Sequence, residues 1–242
     1  MHCLLYSSCV GLSFPRMKLL IPSLLLVSAF ATAGQIASAT VIDDFSQGSL
    51  FVQVTNSPGQ TLYQNGLSTS HVIGGSRSLY TIGSAGLASA EIDTSAGTFR
   101  FSSDASFGYF TLTYGATTPL GANLLADGSD RFLVSIAQVT TGFWRSGFFF
   151  GVETGGTWRS YSFGGDLPAL KGSGVLTIPF SRFPGADMTD VQAIGISASR
   201  FEPNRQIIID SVITTVPEPS SLPFFAAGLG ALAFVSKRAR VA

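Results

Sequence analysis

Between Val41 and Thr215, apolar side chains recur at every second position and form no helical stripe. Phe99 and Phe101 flank Arg100, and Phe132, Val134 and Ile136 alternate with Leu133, Ser135 and Ala137. Leu176 and Ile178 flank Thr177, Ile194 and Ile196 flank Gly195, and Ile207 and Ile209 flank Ile208. In an extended chain this period puts such residues on one side of a sheet. Turn chemistry separates the runs at Ser57-Pro58-Gly59, Asn65-Gly66, Gly74-Gly75, Ala126-Asp127-Gly128, Gly155-Gly156 and Gly164-Gly165. Many short strands with one apolar face each need a second layer to cover them. The pattern therefore predicts an all-β, two-sheet antiparallel β-sandwich over residues 40–215. A single helical turn is expected around residues 123–126. No repeat of fixed period is visible, and residues 214–221 read as the linker.

The two ends depart from this pattern. Residues 17–39 carry Lys18, an apolar stretch over 19–30 and the small-x-small site Ala37-Ser38-Ala39, the layout of an export signal cut before Thr40. The sixteen residues ahead of Met17 add nothing such a signal needs, so translation is expected to begin at Met17. At the other end, residues 220–236 form a seventeen-residue uncharged run closed by Lys237, Arg238 and Arg240. At about 1.5 Å per residue, such a helix reaches roughly 25 Å against a hydrocarbon core of about 30 Å, a marginal single span. The basic end belongs on the cytoplasmic side. The helix cannot extend back through Pro217 and Pro219, so Val216-Pro217-Glu218-Pro219 stays extended at the outer boundary, open to a processing enzyme.

Composition narrows the chemistry. Formal charge is zero overall, but residues 40–216 hold 13 acidic and 9 basic side chains, a net of −4, with no basic stripe for nucleic acid. Both cysteines, Cys3 and Cys9, precede the expected cut, so the mature chain has neither disulfides nor thiol chemistry.

The tail, with Val216-Pro217-Glu218-Pro219-Ser220-Ser221-Leu222, a Gly/Ala/Leu/Phe segment and Lys237-Arg238-x-Arg240, resembles the PEP-CTERM sorting signal. That resemblance implies processing by an exosortase, a bacterial membrane cysteine protease-transpeptidase. The enzyme would detach the basic end and pass the protein to the envelope or the exopolysaccharide. The body is similar to the jelly-roll domain common in PEP-CTERM proteins, and more distantly to carbohydrate-binding modules. That likeness rests on Ile42-Asp43-Asp44-Phe45, Ile73-Gly74-Gly75-Ser76-Arg77-Ser78-Leu79, the Asn123–Phe132 stretch and Ile207-Ile208-Ile209-Asp210-Ser211-Val212.

Two constellations in the body are candidate sites. Asp43 and Asp44 begin the first strand and Asp210 is expected to end the last. Pairing of the terminal strands would gather their oxygens, with a Gly74 or Gly75 carbonyl, around a structural calcium. The competing reading has them capping turns. The aromatic segment around Trp144, with Trp158 and Tyr161, offers flat rings on which sugar C–H faces stack; the alternative is that most of these rings are core. In that segment alternation puts Phe148 and Phe150 on one face and Phe149 on the other. Enzymatic chemistry is poorly served. His71 is the one histidine left after maturation, and no Gly-x-Ser-x-Gly elbow is present. Glu91 and Glu153 remain as a carboxylate pair for a glycan-processing alternative. The expectation is an exported, non-catalytic envelope or extracellular-matrix protein, anchored for a time in the inner membrane and associated with exopolysaccharide or biofilm. The alternative is a lectin-like module with a defined sugar site.

Overall fold

The alternating runs resolve into thirteen strands in a computed structural model that describes residues 39–55, 58–104, 107–140, 147–163, 172–201 and 203–216. They are β1 (Val41–Asp43), β2 (Leu50–Thr55), β3 (Gln60–Asn65), β4 (Ser76–Ser84), β5 (Leu87–Asp93), β6 (Thr98–Ser103) and β7 (Phe107–Tyr114). After these come β8 (Arg131–Val139), β9 (Gly147–Thr154), β10 (Thr157–Ser162), β11 (Gly174–Pro179), β12 (Ala193–Phe201) and β13 (Arg205–Thr215). One sheet runs β11-β8-β13-β6-β5-β2 with β1 added to β13, and the other runs β10-β9-β12-β7-β4-β3. Every pairing is antiparallel. This is the all-β, two-sheet antiparallel sandwich that the alternation predicts.

The inward set is the apolar one. Phe99 and Phe101 from the seven-stranded sheet meet Phe110 from the other at ring-centroid distances of 4.9 and 5.0 Å. Phe132 meets Phe150 at 4.5 Å. Phe148 and Phe150 are buried while Phe149 faces outward, as the alternation requires. Removing such rings from water supplies most of the drive to close the sheets.

Residues 123–126 form a hydrogen-bonded turn, with Ala126 N donating to Asn123 O (3.4 Å). Short 3-10 turns form instead at Ile73–Gly75 and Phe180–Arg182. Gly74 and Gly75 have φ of +67° and +64°, which explains the glycine pair there. Among the described residues no helix is long and apolar enough to cross a membrane. The expected signal segment up to residue 38, with Ala37, and Pro217, Glu218, Pro219, the 220–236 helix, Lys237, Arg238 and Arg240, lie outside the described residues, as does Trp144.

Candidate functional site

The three candidate carboxylates do not come together. The terminal strands do pair, with Val41 opposite Ile213 and Asp43 opposite Val212. Asp43, however, points inward and is fully buried. Its Oδ2 accepts from Arg77 Nη1 at 2.5 Å and from the Tyr114 hydroxyl at 3.0 Å, and its Oδ1 accepts from Phe45 N at 2.8 Å. Burial pushes the Asp43 carboxyl up, against the pull of Arg77 and the two other donors. The same burial, with Asp43 beside it, raises the Tyr114 phenol well above its ordinary value.

Asp44 turns the other way. Its Oδ1 accepts from Ser46 N (3.0 Å) and Ser46 Oγ (2.6 Å), and its Oδ2 lies 2.7 Å from His71 Nδ1. Asp210 sits on the outer face of β13, where Ser135 Oγ donates to it at 3.4 Å. The Gly75 carbonyl is taken by Leu67 N at 3.0 Å. Among the described residues no group of three His, Cys, Asp or Glu side chains is arranged to hold a metal. The calcium expectation required one shared side of the sheet, and the alternation that buries Asp43 leaves Asp210 on the opposite one.

Ser46, His71 and Asp44 also fail to make a nucleophile relay. A triad needs serine on one imidazole nitrogen and carboxylate on the other. Here both contact Nδ1, at 3.0 and 2.7 Å, and the Ser46 proton goes to Asp44. Glu91 on β5 and Glu153 on β9 face outward from different sheets. Sheets stack about 10 Å apart, so this pair straddles the sandwich, beyond the separation at which two carboxylates act on one glycosidic bond.

The aromatic constellation divides by the same parity. Trp158 and Tyr161 lie three residues apart on the edge strand β10 and therefore point to opposite faces. Tyr161 packs inward, edge-on to Phe163 at 4.8 Å and beneath the Arg182 guanidinium at 5.0 Å. Trp158 faces outward with 48% of its surface exposed. Its indole crosses β9 toward β12 over Gly151 and Gly195, which are direct register partners. A Cβ built on Gly151 would lie 3.3 Å from the ring, and one on Gly195 would lie 3.2 Å from it. The two glycines thus form a flat seat that holds one face of the indole and leaves the other toward solvent.

Around this seat, the outer face of the six-stranded sheet is paved with small hydroxyl residues and further rings. Ser197, Thr111 and Tyr80 follow one another in register across β12, β7 and β4. Tyr80 and Tyr109 meet edge-on at 5.9 Å, and the Thr111 hydroxyl bonds to the Tyr109 hydroxyl. Tyr63 on the far edge strand is 58% exposed. Trp158 and Tyr80 stand four strands apart, roughly 19 Å across the sheet, and four residues, roughly 13 Å, apart along it. Glu153 is a charged side chain of this face, opposite Trp158 in register. The arrangement is a shallow trough between aromatic walls. It suits stacking and hydroxyl contacts along an extended polar chain better than enclosure of a single small molecule.

Residues 215–240 match the PEP-CTERM protein-sorting motif. This marks an exported protein with a C-terminal sorting signal. A search of curated proteins returned no match. Among solved structures, the chain is similar to the family 11 carbohydrate-binding module from Clostridium thermocellum in complex with a β-1,3-1,4-mixed-linked tetrasaccharide. Identity is 13%, the TM-score is 0.37, and the match covers 74% of this chain and 95% of the module. It is also similar to a solution structure of CtCBM11, with 13% identity, a TM-score of 0.41, and coverage of 77% of this chain and 99% of that one.

Proposed function

Because the chain carries a PEP-CTERM sorting motif, we propose that it is an exosortase substrate whose β-sandwich adheres to extracellular polysaccharide through the outer face of the six-stranded sheet. The tail anchors the exported chain in the membrane and is then processed, leaving the sandwich in the envelope or matrix. The body acts by binding and carries out no reaction.

The observation that carries the adhesive part of this reading is the Trp158 indole lying over the Gly151–Gly195 pair with its other face open. A sugar ring presents C–H bonds to such a surface, and the neighbouring serine and threonine hydroxyls supply donors and acceptors. The open trough, about four strands wide, favours a polymer over the closed pocket of a lectin with one defined sugar. Retention of the mature chain on the producing cells' isolated polysaccharide tests this. Trp158→Ala should lower retention about tenfold, the equivalent of one stacked aromatic contact. Unchanged retention sinks the proposal, and saturable binding of one monosaccharide moves the reading to the lectin-like alternative.

A further inference from the structure

The residue that export processing would expose, Thr40, sits in a pocket built from residues far away in sequence. Thr40 N donates to Thr214 Oγ1 at 3.1 Å, and the Thr40 hydroxyl donates to Asp127 Oδ2 at 3.0 Å. The Thr40 carbonyl accepts from Thr214 N at 2.8 Å. Ser129 completes the pocket: its Oγ donates to Thr214 Oγ1 at 3.0 Å and its N–H to Asp127 Oδ1 at 2.9 Å. Ala39, one residue upstream, is exposed. The chain becomes docked at the same bond that the Ala37-Ser38-Ala39 site marks for cleavage.

We propose that this pocket is a receptor for the α-ammonium created when the leader is removed, and that filling it tightens the strand from which the sorting signal leaves. Hydrolysis of the Ala39–Thr40 bond consumes one water. Ala39 departs as a carboxylate, and the Thr40 nitrogen, taking up the protons, becomes an ammonium at neutral pH. What was a neutral amide donor is then a cation on the Thr214 hydroxyl, with the Asp127 carboxylate held by the hydroxyl of the same threonine. Among the described residues of the loop that carries Asp127, the other charged groups are Asp130 and Arg131. They satisfy each other at 2.6 Å, leaving Asp127 as the counter-charge.

The consequence reaches the other terminus through the pairing of Thr40 with Thr214. Asp130 N donates to Thr215 O at 3.1 Å, so the loop carrying Asp127 also grips β13 in its last residues. Pro217 comes two residues after Thr215. Both processing points therefore flank one clamp, and completion of the first changes how firmly the chain is held beside the second.

The test compares full mature chains beginning at Thr40, in detergent micelles, with the α-amine either free or acetylated. An amine beside a carboxylate has a raised pKa. Its contribution is complete below the ordinary value of about 7.7–8.0 and lost as pH rises through the folded one. At pH 6.5 the free-amine chain should melt about 2–4 °C higher, and its Thr214 amide should exchange about threefold to fivefold more slowly. The gap should vanish in Asp127→Asn and close above the amine's titration. Equal melting of free and acetylated chains at pH 6.5 overturns the proposal, as does a gap that survives Asp127→Asn. The inference rests on cleavage before Thr40, which N-terminal sequencing of exported protein checks separately. A different natural N-terminus would remove the biological role and leave the pocket measurement standing.

Discussion

Arg77 Nη1 lies 2.5 Å from Asp43 Oδ2, and neither side chain is exposed to solvent. The guanidinium is otherwise occupied by Gln64 Oε1 (2.8 Å), the Gly48 carbonyl (2.8 Å) and the Gln47 carbonyl. Arg77 on the six-stranded sheet thereby ties down both β1 and the chain leading into β2, which belong to the other sheet. Its parity with Leu79 turns it inward, and each of its three guanidinium nitrogens has an acceptor waiting.

Arg77→Met should accordingly destabilise the fold by about 3–5 kcal/mol, because it leaves the Asp43 charge buried without its partner. Equilibrium urea unfolding measures this. The double variant with Asp43→Asn should recover part of the loss, since the stranded charge is then gone. If Arg77→Met costs under about 1 kcal/mol, the pair does not pin the two sheets together.

Trp158 and Tyr161 should separate cleanly. Trp158→Ala removes a ring lying on the surface and is expected to lower polysaccharide retention about tenfold with little change in melting temperature. Tyr161→Ala removes a ring packed on Phe163 and beneath Arg182, at 4.8 and 5.0 Å. It should cost about 2–3 kcal/mol of stability and leave retention intact at temperatures where the fold persists. Measuring both properties on both variants decides, and a reversed pattern would place the adhesive surface on the other side of β10.

The indole seat can be tested without touching the indole. A Cβ at Gly195 would stand 3.2 Å from the ring, so Gly195→Ala asks for a shift of a few tenths of an ångström, and Gly195→Val forces the ring off the sheet. Retention should fall slightly in the first variant and to the level of Trp158→Ala in the second. Far-ultraviolet circular dichroism should remain that of the parent in both.

The strands themselves were legible because alternation is local. Phe99/Phe101, Phe132/Val134/Ile136 and Ile207/Ile209 each declare their inward face within a few residues, and the structure buries them all. Parity also held the information that divides Trp158 from Tyr161, although shared aromatic chemistry groups them as one platform. Register was not legible. Gly151 and Gly195 become neighbours only when β9 pairs with β12, and nothing in either strand alone announces a joint seat for a side chain from β10. The inward placement of Arg77 could be read from its parity with Leu79, but an arginine so placed reads as solvated until its partners on β1 and the following turn are in view.

Acid should weaken the fold through a small turn motif used repeatedly. Asp44-Phe45-Ser46, Asp93-Thr94-Ser95, Asp127-Gly128-Ser129 and Asp187-Met188-Thr189 each place an aspartate Oδ1 as acceptor for the amide two residues on, at 3.0, 2.9, 2.9 and 2.9 Å. In three of them the same oxygen also accepts the hydroxyl of that residue, at 2.6 Å. At Asp93 and Asp187 these hydrogen bonds lower the carboxyl below its usual range, and at Asp44 and Asp127 they do so against the opposing effect of burial. A carboxyl depressed by folding contributes stability that is present above its unfolded value of about 3.9 and lost as pH falls through the folded value. The melting temperature should therefore be flat with respect to these groups near neutrality and drop below about pH 4. Asparagine keeps the turn acceptor while removing the titration. A chain carrying Asp93→Asn and Asp187→Asn should consequently show a shallower acid slope with its neutral melting temperature little changed. An unaltered slope would mean that other carboxyls govern the acid transition.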